Sequence, residues 1–303
     1  MAKNYNSLYE LLEAFPTEES CVDHLETLRW PLGVVCALCG SNRKIYRKKN
    51  LRYRCSDCGR EFGIRKGTIF EESRIPLRKW FAATWLMSTH RKGIPSTQLG
   101  REIGVTQKTA WFMLARLRAV AGNMSGHGGP MDGSIEVDET YMGGKEKNRH
   151  ANQRRGIRGP SGKQAVIGAR ERGGRVRAAK LDRRTARELQ GFIRRNVAEG
   201  STVYTDDFSG YASLRGFDRH SVNHSIGEYV RGQAHTNGIE SFWALLKRGY
   251  IGTFHHFSWK HLHRYLREFE ARWNMGQADG SYRMDKLLTF ASGIRLTYAD
   301  LIE

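Results

Sequence analysis

The sequence predicts a multidomain α/β protein in which a small four-cysteine ribbon and a cluster of three helices precede a mixed sheet. Three observations predict it. Two CxxC pairs lie early in the chain, Cys36 with Cys39 and Cys55 with Cys58. Three helical patterns punctuated by Gly and Ser/Thr follow between residues 75 and 120. Beyond a Gly-rich stretch, strand-like runs alternate with helical ones, the mark of an α/β domain.

Length and charge bound what such a chain can do. Its 303 residues suffice for two or three domains, and 39% hydrophobic residues exclude a disordered chain. Fifty Lys and Arg against 31 Asp and Glu leave a net charge of +19, which calls for a polyanionic partner, nucleic acid first. A membrane surface fits poorly, because the aromatics are dispersed and no long basic amphipathic helix dominates. MAKNYNSLYELLEAF lacks the apolar run of a signal peptide, and no window nears the roughly 18 apolar residues of a membrane span. The expectation is a cytoplasmic, nucleoid-associated protein whose five cysteines are metal ligands or buried thiols rather than disulfides.

The elements follow in order. Residues 1–33 form an N-terminal helical segment, where PTEESCVDHLETLRW carries a Thr17 cap, acids in its first turn and a Val22, Leu25, Leu28 stripe. Cys21 belongs to the core there. Residues 34–64 form a zinc ribbon: fifteen residues separate Cys39 from Cys55, the spacing of a four-cysteine zinc site. Gly40 and Gly59 let each turn fold tightly, and IYRKKNLRYRC alternates as strand. One Zn²⁺ per chain held by four protein ligands has no open position, so its role is structural. Residues 75–120 read as a helix-turn-helix region: PLRKWFAATWLMSTHRKG, then STQLGREIG ending at Gly104, then a helix opening at Thr106. Gln107, Lys108 and Thr109 would face the major groove. An ordinary three-helix cluster is the alternative. AGNMSGHGGPMDGS, 121–134, is a linker.

The second domain, 135–275, is built around acids. SIEVDETYMGG is a strand with Asp138 near its middle. KQAVIGARERGG and RVRAAKLDRR form a hairpin, TARELQGFIRRNVAEG a helix capped by Thr185, and STVYTDDFSGY a strand ending at Asp206 and Asp207. HTNGIESFWALLKRG is an amphipathic helix whose Asn237, Glu240 and Lys247 share a face. Residues 276–303 complete the chain as a C-terminal segment.

Asp206 follows Asp138 by 68 residues, and Glu240 follows Asp206 by 34. A strand aspartate, a strand-end aspartate, a helical glutamate and a basic residue seven further on resemble the DDE transposases and retroviral integrases of the ribonuclease H-like fold. With the ribbon, VDETYMGGKEKNRHAN, VYTDDFSGY and HTNGIESFWALLKRG, the chain looks like the insertion-sequence transposases of the zinc-ribbon group related to eukaryotic Merlin elements. The likeness covers roughly residues 16–275. It implies a ribonuclease H-like catalytic domain, strand cleavage and transfer on double-stranded DNA, and a homodimer or higher homo-oligomer. It also implies Asp138, Asp206 and Glu240 as ligands of two Mg²⁺ or Mn²⁺ ions. Hard carboxylates suit such ions, and a pair roughly 3.5–4 Å apart can activate an attacking oxygen and stabilise a leaving one. Some relatives carry asparagine as the third signature residue, so Asn237 is the alternative third position.

The period-two rule assigns neighbours: Glu136 shares the face of Asp138, whereas Glu139 should point away, and only one of Asp206 and Asp207 can be a ligand. Lys247, His235 and the basic loop 143–163 with Arg154 and Arg155 are candidate DNA contacts; that loop has seven Lys and Arg against one acid. The competing reading is a non-enzymatic DNA-binding regulator that uses only the ribbon and the helix-turn-helix. A structural RNA-associated zinc protein is a third.

Overall fold

A computed structural model describes residues 4–126, 128–144, 150, 152, 162–222 and 236–302. The chain divides into two compact units, Met1–Met124 with Gln277–Glu303, and Ser125–Gly276.

The first unit opens with α1 (Leu8–Ala14) and α2 (Glu18–Arg29). Thr17 and Ser20 form a reciprocal capping box at the start of α2, as the expected cap requires. A three-stranded antiparallel ribbon follows, β1 (Ile45–Arg47), β2 (Arg52–Cys55) and β3 (Glu61–Gly63). One face of it is apolar: Tyr53 stacks on Phe62, with Trp30 at the end of α2 edge-on to both. Next come α3 (Leu77–Thr89), α4 (Ser96–Ile103) and α5 (Gln107–Gly126). Pro76 leaves α3 without a side-chain cap of its own, and Glu18 supplies one, accepting the Leu77 N–H at 2.8 Å. Helix α5 continues past residue 120 through Gly122 to Gly126, so six of the fourteen residues expected as linker are helical. Val120 and Ala121 are fully buried there, and packing outweighs the glycine penalty.

The C-terminal residues return to this unit. Helix α9 (Gly280–Thr289) packs on α3, and Gly280 gives the Trp85 ring room that a Cβ would take. Short α10 (Ala299–Ile302) lies beside α5, where Leu296 and Leu301 pack on Ala115. Buried Arg116 ties the two together, donating to the carbonyls of Ile69, Glu71 and Leu296.

The second unit is a five-stranded sheet: β4 (Ser134–Met142), β5 (Gln164–Glu171), β6 (Val176–Lys180), β7 (Thr202–Asp206) and β8 (Asp218–Val222), in the order β6-β5-β4-β7-β8. β4, β5 and β6 form an antiparallel meander, while β7 and β8 run parallel to β4. Helix α6 (Ala186–Asn196) joins β6 to β7. This is the ribonuclease H-like arrangement that the resemblance implies. DRHSV gives β8 almost no apolar signal, which is why the sequence does not announce that edge strand.

Alternation along β4 sorts its side chains. Ile135 and Val137 join Leu189, Phe192 and Ile193 of α6 in one core. Met142 faces a second core with α7 (Asn237–Gly249) and α8 (Leu262–Asn274), built from Ile239, Phe242, Trp243, Leu246 and Phe269. Helix α8 also satisfies the edge strand β6: Glu270 accepts the Ala178 N–H at 2.6 Å, and the Asn274 amide bonds both N–H and C=O of Val176. Among the described residues no helix is long and apolar enough to cross a membrane.

Candidate functional sites: a thiol quartet and an acidic strand end

The four ribbon cysteines gather as their spacing requires. One sulfur from each of Cys36, Cys39, Cys55 and Cys58 lies within 4.8 Å of all the others, with Cys36 to Cys58 at 3.9 Å and Cys39 to Cys55 at 3.7 Å. Tetrahedral zinc with bonds of about 2.3 Å sets its sulfurs about 3.8 Å apart, so the quartet is a donor set that suits a zinc ion. Gly40 and Gly59, at φ +78° and +68°, close the two turns in the left-handed region. Cys21 is buried elsewhere, within α2.

Between α4 and α5 the turn passes through Gly104, left-handed at φ +62°, and Thr106 caps α5 by accepting the Thr109 N–H. Gln107 and Lys108 are exposed and Thr109 half-buried on the first turn of α5. Each is already engaged within the protein. Gln107 donates to the Ser96 hydroxyl at 2.9 Å, Lys108 stands over the Tyr298 ring, and Thr109 shares a bond with Thr106.

The acids converge at one edge of the large sheet. The β4–β7 pairing sets Ser134 opposite Thr202 and Glu136 opposite Tyr204; two residues further, Asp138 and Asp206 stand level where β7 ends. Carboxylate oxygens of Asp138, Glu139 and Asp206 lie within 4.8 Å of one another. Glu139 is thus a correction: its side chain does leave on the α6 face, but with β7 ending alongside, it bends to the same rim as Asp206. Tyr211 donates to it at 2.8 Å, and Arg184 lies 3.2 Å from Glu139 and 3.8 Å from Asp206. Burial, reinforced by the negative charges of Glu139 and Asp206, pushes the Asp138 carboxyl up to about 7, and burial raises Glu139 as well. Asp206 also accepts the Phe208 N–H, which fixes the turn after β7, while Asp207 is exposed. Three hard oxygen donors with one guanidinium beside them are a donor set that suits a divalent cation, whose charge would offset their repulsion.

Helix α7 is pinned to this edge by residues that spacing alone did not single out. Trp243 donates its indole N–H to Asp138 Oδ2 at 3.0 Å. Its ring lies over Gly168, the β5 residue paired with Asp138, where a Cβ would stand 2.6 Å from the indole. Glu136, fully buried, reaches the first turn of α7: its Oε2 accepts the Ile239 N–H at 2.9 Å, and Arg170 and Arg172 flank it at 3.7 and 3.3 Å. Gly238 allows this approach, since a Cβ there would collide with Arg170. Glu240 itself is exposed, its Oε1 accepting from the Thr236 hydroxyl at 3.2 Å, and it stands outside the acidic trio. Asn237 and Lys247 are exposed on the same helix. His235, Arg154 and Arg155 lie outside the described residues.

Two domain models match the chain, an ISXO2-like transposase domain over residues 130–274 and a transposase zinc-ribbon domain over residues 16–61. An uncharacterised protein in transposable element ISH50 of Halobacterium salinarum is 31% identical over 297 residues, 92% of this chain and 99% of that one. A Mos1 strand transfer complex aligns at 10% identity over 71% of this chain and 79% of that chain, with a TM-score of 0.28. A pre-cleavage Mos1 transpososome aligns at 11% over 66% and 72%, also at 0.28. At such scores these two alignments decide nothing about the chain. The full-length identity to the ISH50 protein, with both domain models in matching order, shows that the chain belongs to the DDE transposases of insertion sequences, in their zinc-ribbon group.

Proposed function

We propose that this transposase binds the terminal inverted repeats of its own insertion sequence, cuts the DNA there, and joins the freed 3′ hydroxyl to target DNA. The observation that supports this most is the meeting of Asp138 and Asp206 at the rim where β7 ends. Asp138 and Asp206 would hold two Mg²⁺ or Mn²⁺ ions, with Glu240 as third ligand and Asn237 as its alternative. When bound, such ions activate an attacking oxygen and stabilise the leaving one.

The chain's own groups prepare that rim. Trp243 fixes one Asp138 oxygen and leaves the other for a cation. Glu136 seats the first turn of α7 against the sheet, so Glu240 and Lys247 ride on a positioned helix. Arg184 partly offsets the charge of Glu139 and Asp206. Lys247, two turns on along the same face, would meet DNA phosphate, as would His235, Arg154 and Arg155. Gln107, Lys108 and Thr109 would read the repeat in the major groove, exchanging their present partners for bases, and the zinc ribbon would be a structural part of the same unit. A homodimer or higher homo-oligomer would hold two ends together. A DNA-binding regulator has no use for clustered carboxylates beside phosphates.

Incubation with duplexes carrying the element's ends, with and without Mg²⁺, tests this. Mg²⁺-dependent nicks at the ends are expected, and Asp138→Asn should bind those ends but leave them intact. Cleavage by Asp138→Asn at the parent rate would refute the assignment.

A further inference from the structure

The two faces of the ribbon differ completely. Cross-strand pairing places Arg47 beside Tyr53 and Tyr53 beside Phe62 on one face, against α2, where Arg47 meets Asp23 and Glu26. The other face pairs Tyr46 with Arg54 and Arg54 with Glu61. Lys48 and Arg52, joined across the turn, both reach Glu61. By the same alternation Lys44 belongs to this face, and its carbonyl receives the Ser56 N–H.

Among the described residues nothing covers this second face. Tyr46 is 57% exposed and, among the described residues, pairs with no other ring. Lys44, Lys48, Arg52 and Arg54 are all exposed. Among the described residues neither Lys44 nor Arg54 has a carboxylate oxygen within 4.0 Å, so Glu61 offsets only part of the charge. An open cleft of about 430 Å³ runs between Tyr46, Lys48, Arg54, Ser56 and Gly59. A strand pair normally sets directly opposed side chains about 5 Å apart at Cβ, so an aromatic ring and a guanidinium stand side by side at its rim. An open surface that joins exposed cations, in excess of the one acid Glu61, to one bare aromatic ring is complementary to a phosphate backbone with sugars or bases beside it.

We propose that this open face is a second DNA contact surface, separate from the first turn of α5: Lys44, Lys48 and Arg54 bind backbone phosphates, and Tyr46 packs on an adjoining sugar or base. The zinc ion would then hold a DNA-binding platform rigid. This rests on the reading of the chain as a DNA-binding transposase.

The full-length chain, zinc-loaded, is titrated with a duplex carrying the element's end across a range of salt. Each lost phosphate contact lowers the slope of log K against log salt by about 0.9. Lys44→Gln/Lys48→Gln/Arg54→Gln should therefore flatten the slope by about 2.7. Tyr46→Ala should weaken binding severalfold with no change in slope, because it removes no charge. All the substituted side chains are exposed, and zinc content confirms that each variant keeps its ribbon. An unchanged slope and affinity in the zinc-loaded triple variant would overturn the surface. So would an equal loss in Arg187→Gln/Arg194→Gln/Arg195→Gln, three exposed cations of α6 outside every proposed DNA contact, since bulk charge would then account for it. A parent chain with no affinity for the duplex would overturn the transposase reading itself, so the two failures are distinguishable.

Discussion

Replacing Glu136 by alanine should destabilise the catalytic unit by about 3–5 kcal/mol, the cost of breaking a buried ion pair by removing one partner. Glu136 is fully buried, accepts the Ile239 N–H at 2.9 Å, and stands 3.3 Å from Arg172 and 3.7 Å from Arg170. Truncation orphans that amide, worth about 1–3 kcal/mol by itself, and takes the carboxylate away from two guanidinium groups that are only about one-fifth exposed. Glu136→Gln keeps an acceptor for Ile239 and loses the charge, so it should cost clearly less. Urea unfolding of the parent and both variants measures the difference. A second readout separates position from stability: well below the unfolding transition, Glu136→Ala should already cut DNA more slowly, because α7 and its Glu240 are no longer held at one height on β4, whereas Glu136→Gln, which keeps the acceptor, should cut nearer the parent rate. Loss of under 1 kcal/mol in Glu136→Ala would refute the reasoning, since solvent would then be serving the amide and both arginines.

Cys55→Ser should lose zinc while Cys21→Ser keeps it, as metal analysis of the purified proteins would show. Without Mg²⁺, stability should fall as pH rises from about 4 to about 7: burial lifts folded Asp138 to about 7 against about 3.9 in the unfolded chain, so the native state holds the extra proton across that window. Asp138→Asn should flatten that profile and remove any stabilisation by Mg²⁺, both read from thermal unfolding. Gly168→Ala would press a methyl group into the Trp243 indole and should cost about 1–3 kcal/mol, with slower cleavage as the indole leaves Asp138. Glu240→Gln should reduce Mg²⁺-dependent cleavage by orders of magnitude and Asn237→Ala clearly less; the reverse order in two folded variants would make Asn237 the third ligand.

What the sequence made legible follows from how local each signal is. The cysteine quartet is a matter of ligand type and spacing, and the ribbon gathers all four sulfurs. Cap and glycine signals marked the starts of α2 and α5 and the end of α4. Period two along β4 put Glu136 and Asp138 on one face, and both meet α7. It failed in effect at Glu139, because alternation describes a strand inside a sheet, and at residue 139 the parallel neighbour has already ended. Edge strand β8 was invisible because a polar strand paired on one side needs no apolar pattern. Gly168, Gly238 and Trp243 were out of reach for a different reason: their importance lies in pairs that the chain separates by 68 residues or more, since 238 − 170 = 68.

Those pairs also bear on why the acids need a sheet of this topology. Parallel β4 and β7 bring two carboxylates level, because strands running the same way end on the same side. Antiparallel β5 then places Gly168 opposite Asp138, and the space without a side chain is filled by an indole from α7. One ring therefore links the meander, the strand acid and the helix that carries Glu240. The buried Glu136 makes a second link two residues earlier on the same face of β4, to the first turn of the same helix. Two contacts fix both the height and the rotation of α7, whereas one would leave it free to turn about its anchor. Glu240 stands between them in sequence, after Ile239 and before Trp243, so whatever it binds is bound from a helix whose setting the sheet has already determined.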